Sequence, residues 1–186
     1  MSFRIVRAAV AAERESTLHE ARLLLLLSGC SHRGDGAIEG FTKLAKLDFF
    51  LRYPVFFERL VQKLRRRPLA VPMQPHERDT VESKMIRFRY GPWDPRYRSW
   101  IGILTAKGLV AARPEGRASV HLTLTEQGRA VAERLAQSPE FADLAARADL
   151  VGQVAGQETG NRLKELVYQT VPEIGGMTWG DQIEPA

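Results

Sequence analysis

The chain has 186 residues with 27 Lys and Arg, 22 Asp and Glu and a formal net charge of +5. Its 44% hydrophobic and 26% charged residues describe a globular protein and exclude a low-complexity or membrane-spanning composition. Its single cysteine, Cys30, excludes an intrachain disulfide and a cysteine-based zinc site, and suits a reducing, cytoplasmic setting.

The charge is unevenly spread. Residues 1–51 hold 7 basic and 6 acidic side chains, 52–117 hold 15 and 6, and 118–186 hold 5 and 10. A basic middle beside an acidic last third predicts one face for an anionic partner and another for a different partner.

In chain order, Ser16 and Thr17 with Glu20 read as a capping box that opens a helix through about Ser28. The Leu23–Leu27 run is far too short to span a bilayer, and Cys30 after it reads as a small buried hydrophobe. Gly29 to Gly36 reads as a loop. A second helix is predicted from Thr42, as N-cap, to Leu51, with Leu44, Leu47 and Leu51 inward and Lys43 and Lys46 on one exposed side. Pro54 ends it and begins a third helix through Leu64, closed by Arg65, Arg66, Arg67 and Pro68.

After a loop at 68–75, Met85 to Tyr90 alternates as a short strand. Ile86, Phe88 and Tyr90 take one side, and Arg87 and Arg89 the other. Gly91 to Pro95 reads as a rigid turn into a helix that starts near Arg96 and stops at Gly108. Leu109–Arg113 and Ser119–Thr125 flank the turn Pro114-Glu115-Gly116 as a hairpin, and Thr125 opens the next helix to Leu135. Helix, hairpin, helix in this order is the second half of a winged helix. The fold class expected is therefore mainly α with a small β-wing: a winged helix-turn-helix body over 1–137 and a helical extension over 138–186. Ser138-Pro139-Glu140 opens the extension's first helix, Asn161–Thr170 forms its last, and an irregular tail follows. The extension's helices are too short to stand alone and dock on the body or on a partner.

Catalysis has little to rest on. His19, His32, His76 and His121 lack metal-ligand spacing, and no nucleophile-elbow, P-loop or zincin motif is present. Glu77, Asp79, Glu82 and Asp94 are mixed with arginines, where ion pairs are the expected role. Neither an enzyme activity nor a cofactor or metal is expected.

The cations carry more. Arg96 and Arg98 at a helix N-terminus, Arg87 and Arg89 on a strand, Arg117 at the wing tip and Arg65–Arg67 form the candidate phosphate-contacting set, with Lys43 and Lys46 in the helix-turn-helix part. No Asn or Gln lies in 42–51, which argues against base-specific reading there. Trp93, Tyr97 and Trp100 read as core.

Three segments, GFTKLAKLDFFLRYP (Gly40–Pro54), ERDTVESKMIRFRYGPWDPRY (Glu77–Tyr97) and LKELVYQTVPEI…WGDQI (Leu163–Ile183), resemble the small middle component of bacterial ABC-three-component systems, which are related to Lamassu antiphage defence. The resemblance implies a non-catalytic accessory subunit that bridges a structural-maintenance-of-chromosomes-like ATPase and an effector, often a nuclease, in a DNA-sensing complex. It implies DNA-backbone contact as a further role, and neither a membrane nor a small-molecule substrate. The other reading is a homodimeric winged-helix transcriptional regulator, expected to pair through its terminal helices.

Overall fold

A computed structural model describes residues 16–32, 36–64, 69–81, 83–116 and 119–185. Helix α1 spans Ser16–Ser31, strand β1 Ile38–Glu39, α2 Gly40–Arg52 and α3 Pro54–Leu64. The hairpin β2 (Ile86–Phe88) and β3 (Gly91–Trp93) follows, then α4 (Tyr97–Ala106), β4 (Val110–Glu115) and β5 (Ser119–Leu124). Helices α5 (Glu126–Ala136), α6 (Ala142–Ala155), α7 (Gly160–Thr170) and the short α8 (Glu173–Gly176) complete the order.

The protein is mainly helical with a small antiparallel sheet. That sheet has the order β1-β5-β4, with Ile38 opposite Leu122 and Val110 opposite Leu124. Strand β1 lies just beyond the predicted loop and escaped the sequence reading, because two residues carry no alternation.

Helix α1 explains the leucine run. Leu23 to Leu27 are all buried, so the helix is apolar on every side because it is surrounded. It crosses α6 at two glycines. A Cβ on Gly152 would stand 2.1 Å from the carbonyl oxygen of Gly29, and one on Gly29 would stand 2.4 Å from that of Ala148. Only hydrogen side chains allow backbones this close. Gly29 is therefore helical and not part of a loop, a correction that follows from this crossing. Cys30 is buried as expected, and desolvation pushes its thiol up to about 12.

Helix α2 begins two residues before Thr42, and its N-cap, Glu39, makes no side-chain cap bond. At the end of α4, Gly108 adopts φ +71, and Leu109 N–H reaches back to the Leu104 carbonyl. Thr125 caps α5 by accepting the Gly128 N–H at 2.9 Å, as the sequence indicated.

The segment after 137 is woven into the core. Ala148, Val151, Leu163, Leu166, Val167 and Ile174 belong to the same buried cluster as Leu26, Leu47 and Phe50. The tail is not simply irregular. Arg87 N–H donates to the Asp181 carbonyl, Gly180 N–H to the Arg87 carbonyl and Ile183 N–H to the Met85 carbonyl, each at 2.8 Å. The tail thus lines the free edge of β2. Likewise Gly91–Trp93, expected as a turn, is the second strand of that hairpin. Among the described residues, no helix is long and apolar enough to cross a membrane.

Candidate nucleic-acid interface

Helix α2 carries Asp48 into the centre of the fold, where a chain of ions forms around it. Arg22 Nε donates to Asp48 Oδ1 at 2.8 Å, and Arg52 Nε donates to Oδ2 at 2.8 Å. The Tyr97 hydroxyl donates to the same Oδ2 at 2.6 Å. Arg52 then reaches Asp94 Oδ2 at 2.9 Å, and Arg96 closes on Asp94 through Nε at 3.0 Å and a terminal nitrogen at 2.8 Å. Trp100 lies within 5.9 Å of the Arg22, 5.5 Å of the Arg52 and 4.7 Å of the Arg96 guanidinium, so its ring faces three cations.

Burial alone would raise the Asp48 carboxyl, but Arg22 and Arg52 overcome it and hold the group below the usual range. Burial likewise opposes ionisation of Asp94, and Arg96 and Arg52 hold it well below that range. Tyr97 is pushed well up by burial and by the Asp48 charge, so its hydroxyl stays a donor. The network joins α1, α2, the β3–α4 turn and α4. It is a structural clamp.

This arrangement sorts the predicted cations. Arg96 is taken up by Asp94, as expected for acids mixed with arginines, and also bonds the Ser83 hydroxyl at 2.5 Å. Lys43 and Lys46 are buried, not exposed, because α2 is enclosed on all sides. Lys43 sits 3.7 Å from Glu39, and Lys46 donates to the Thr42 carbonyl at 3.0 Å. Desolvation and the nearby positive charge of Lys164 push Lys46 down to about 8. Arg87 turns inward too. Its Nε donates to the Ile174 carbonyl at 3.0 Å, and its guanidinium lies 5.5 Å from the Tyr168 ring centre.

The alternation predicted for 85–90 therefore ends early. Strand β2 stops at Phe88, so Arg89 and Tyr90 sit in the turn, and Phe88 and Tyr90 are exposed. Arg65, Arg66, Arg67 and Arg117 lie outside the described residues.

Two predicted cations remain at the surface without an acid among the described residues. They are Arg89, over Tyr90 at 5.4 Å, and Arg98, over Phe41 at 5.4 Å. Arg98 opens the outward side of α4, which continues through Ser99, Gly102, Thr105 and Ala106, all exposed. These are small residues, and a phosphate backbone could lie close against them. Sequence reasoning missed Arg113, exposed on β4, and Lys164 on α7, 5.9 Å from the Tyr90 ring. Neither belongs to a motif, and only the fold brings Lys164 to the hairpin.

A third buried arginine, beside Arg22 and Arg52, fixes the loop before the hairpin. Arg147 donates to the Leu51 carbonyl at 2.9 Å, to the Pro72 carbonyl at 2.7 Å and to Glu77 at 2.5 Å, which holds Glu77 below its usual range against the pull of burial. No group of three or more His, Cys, Asp or Glu stands ready to hold a metal among the described residues. No family model, curated protein or solved structure matches the chain.

Proposed function

We propose that the chain is a winged-helix assembly subunit without catalytic activity, joining a DNA-sensing ATPase complex and touching the duplex backbone through α4. The observation that supports this reading is the order α1-β1-α2-α3-β2-β3-α4-β4-β5 with the sheet β1-β5-β4, which, with α3 and the β2–β3 hairpin set aside as an insertion, follows the helix-strand-helix-helix-hairpin order expected of a winged helix. In that frame α4, directly before the wing hairpin, is the groove-facing helix. Helix α3 and the β2–β3 hairpin come in the chain where a short turn joins the two helices of a simple helix-turn-helix.

The partner half of the proposal rests on the three segments that resemble the middle component of ABC-three-component systems. They are distant in sequence, yet they meet at one side chain. Tyr53, in the first segment, accepts the Met85 N–H of the second at 2.9 Å and donates to the Ile183 carbonyl of the third at 2.8 Å. Segments that share one packed unit fit a common role. The regulator reading needs terminal helices free to pair, whereas Leu163, Leu166 and Val167 of α7 are already buried in the chain's own core.

Co-expression with neighbouring genes, followed by recovery on a tag, tests the assembly role. A stoichiometric large ATPase in the eluate supports it. Recovery of a homodimer alone, shifting one promoter fragment at moderate salt, overturns it. For the duplex contact, Arg98→Ala is expected to weaken binding evenly across sequences, since a phosphate contact carries no base information.

A further inference from the structure

The β2–β3 hairpin and the tail display aromatic rings to solvent. Phe88 is 44%, Tyr90 49% and Trp179 61% exposed, and among the described residues the other large exposed hydrophobic side chain is Leu64. The rings are grouped. The Phe88 centroid lies 5.9 Å from that of Trp179 and 6.3 Å from that of the half-buried Trp93. Tyr90 carries the Arg89 guanidinium at 5.4 Å and the Lys164 ammonium at 5.9 Å.

This display is held in place. Gly180, at φ +98, turns the tail directly after Trp179, and its N–H donates to the Arg87 carbonyl at 2.8 Å. The Thr178 N–H donates to the Asp181 carboxylate at 2.7 Å. A tryptophan fixed on a tethered backbone and left in water loses little entropy when something stacks on it.

Charge identifies what stacks. Glu184 is ion-paired with Lys84 at 2.7 Å and Glu165 with Arg162 at 2.9 Å, while Asp181 accepts the Thr178 N–H. Arg89 and Lys164 pair with no acid among the described residues. Rings interleaved with unspent cations are the chemistry of a stacking platform with phosphate contacts. Protein-binding surfaces share the aromatic rings and the arginine but are depleted in lysine, so Lys164 is the residue that sets this face apart from them. A duplex offers only base edges in its grooves, so solvent-exposed rings call for unstacked bases.

We propose that this hairpin–tail face binds single-stranded nucleic acid, with Phe88, Tyr90 and Trp179 stacking on bases and Arg89 and Lys164 meeting phosphates. The site uses none of the outward residues of α4 and goes beyond the duplex contact proposed above.

Fluorescence anisotropy with the full chain tests it, using a labelled oligodeoxythymidine of about ten nucleotides and a duplex of the same length. The single strand is expected to bind more tightly than the duplex to the Arg98→Ala variant. Trp179→Ala and Tyr90→Ala each weaken single-strand binding by roughly tenfold, while Trp179→Phe keeps it within about threefold because a ring remains. Arg89→Ala lowers the salt dependence by about one phosphate contact. Tyr90 sits in the hairpin turn, so its variant keeps the fold if removal of Trp179 disturbs the tail. Absence of single-strand binding at low salt overturns the proposal. So does equal binding by the folded Tyr90→Ala and Trp179→Ala variants, and so does capture of a protein partner on this face with no oligonucleotide affinity.

Discussion

The Tyr53 hydroxyl donates to the carbonyl of Ile183 at 2.8 Å, across 130 residues of sequence. The same oxygen accepts the Met85 N–H at 2.9 Å, so one buried phenol fastens the end of α2 to the hairpin strand and to the tail. Burial pushes this phenol above its ordinary value, which keeps its proton in place for donation. Tyr53→Phe removes both bonds without changing the shape of the ring. It leaves the Met85 N–H and the Ile183 carbonyl without this partner, at a cost of about 1–3 kcal/mol in unfolding free energy. In hydrogen exchange, the amides of Arg87, Gly180 and Ile183 should lose protection together. Uniform loss across all helices would instead mean that the tail is not a separate docking unit.

The Asp48 carboxylate stands between two guanidiniums, and removing its charge exposes each of them to the other. Asp48→Asn is expected to cost roughly 3–5 kcal/mol, the usual penalty for breaking one member of a buried ionic group. Adding Arg22→Met to that variant should restore part of the loss, because one stranded cation is removed. The pH dependence follows from the sign of the shifts. Asp48 and Asp94 are both held below their ordinary value of 3.8, so the unfolded chain takes up protons first as pH falls. Their contribution is fully present above that value and is lost below it. Acid unfolding followed by circular dichroism should therefore show a shallower decline in the Asp48→Asn variant than in the parent.

Lys46 works in the opposite sense. Its folded value is about 8 against an ordinary 10.5, so folding favours the neutral amine. Between those values the unfolded state binds more protons, and stability rises with pH across that window. Lys46→Met removes the charge and keeps most of the length. It should raise the melting temperature at pH 7, with the gain shrinking as the pH approaches 10. A gain that did not change with pH would assign the effect to packing alone.

Much of this architecture could be read from residue patterns, but the candidate site largely could not. The β4–β5 hairpin, the Thr125 cap and the Gly108 stop are local, because alternation, a hydroxyl before a helix and a positive φ each act within a few residues. The burial of Lys43 and Lys46 and the inward turn of Arg87 are set by what packs on them, and that is decided elsewhere in the chain. A period of 3.6 placed Lys43 and Lys46 on one side of α2, correctly as geometry. It carried no information that α2 has neighbours all round. The same limit hid the tail's place beside β2, since an edge can be filled by any segment with free backbone groups.

The crossing of α1 and α6 offers a test in which one kind of substitution has opposite signs at two sites. At Gly152 a new Cβ would lie 2.1 Å from the Gly29 carbonyl oxygen and 2.9 Å from the Cys30 nitrogen. All of these are backbone atoms that cannot step aside by changing rotamer, so Gly152→Ala must push the two helices apart. The expected loss is about 1–3 kcal/mol or more, since the separation also loosens the leucine contacts of α1. Gly102 lies in α4 with nothing within 4 Å of a Cβ built on it. There, Gly102→Ala restricts only the unfolded chain and should stabilise the protein by about 0.5–1 kcal/mol. Denaturant titration of the two variants separates these effects. A destabilised Gly102→Ala would show that something closes over the outward side of α4. A neutral Gly152→Ala would show that the two helices do not cross at this glycine pair.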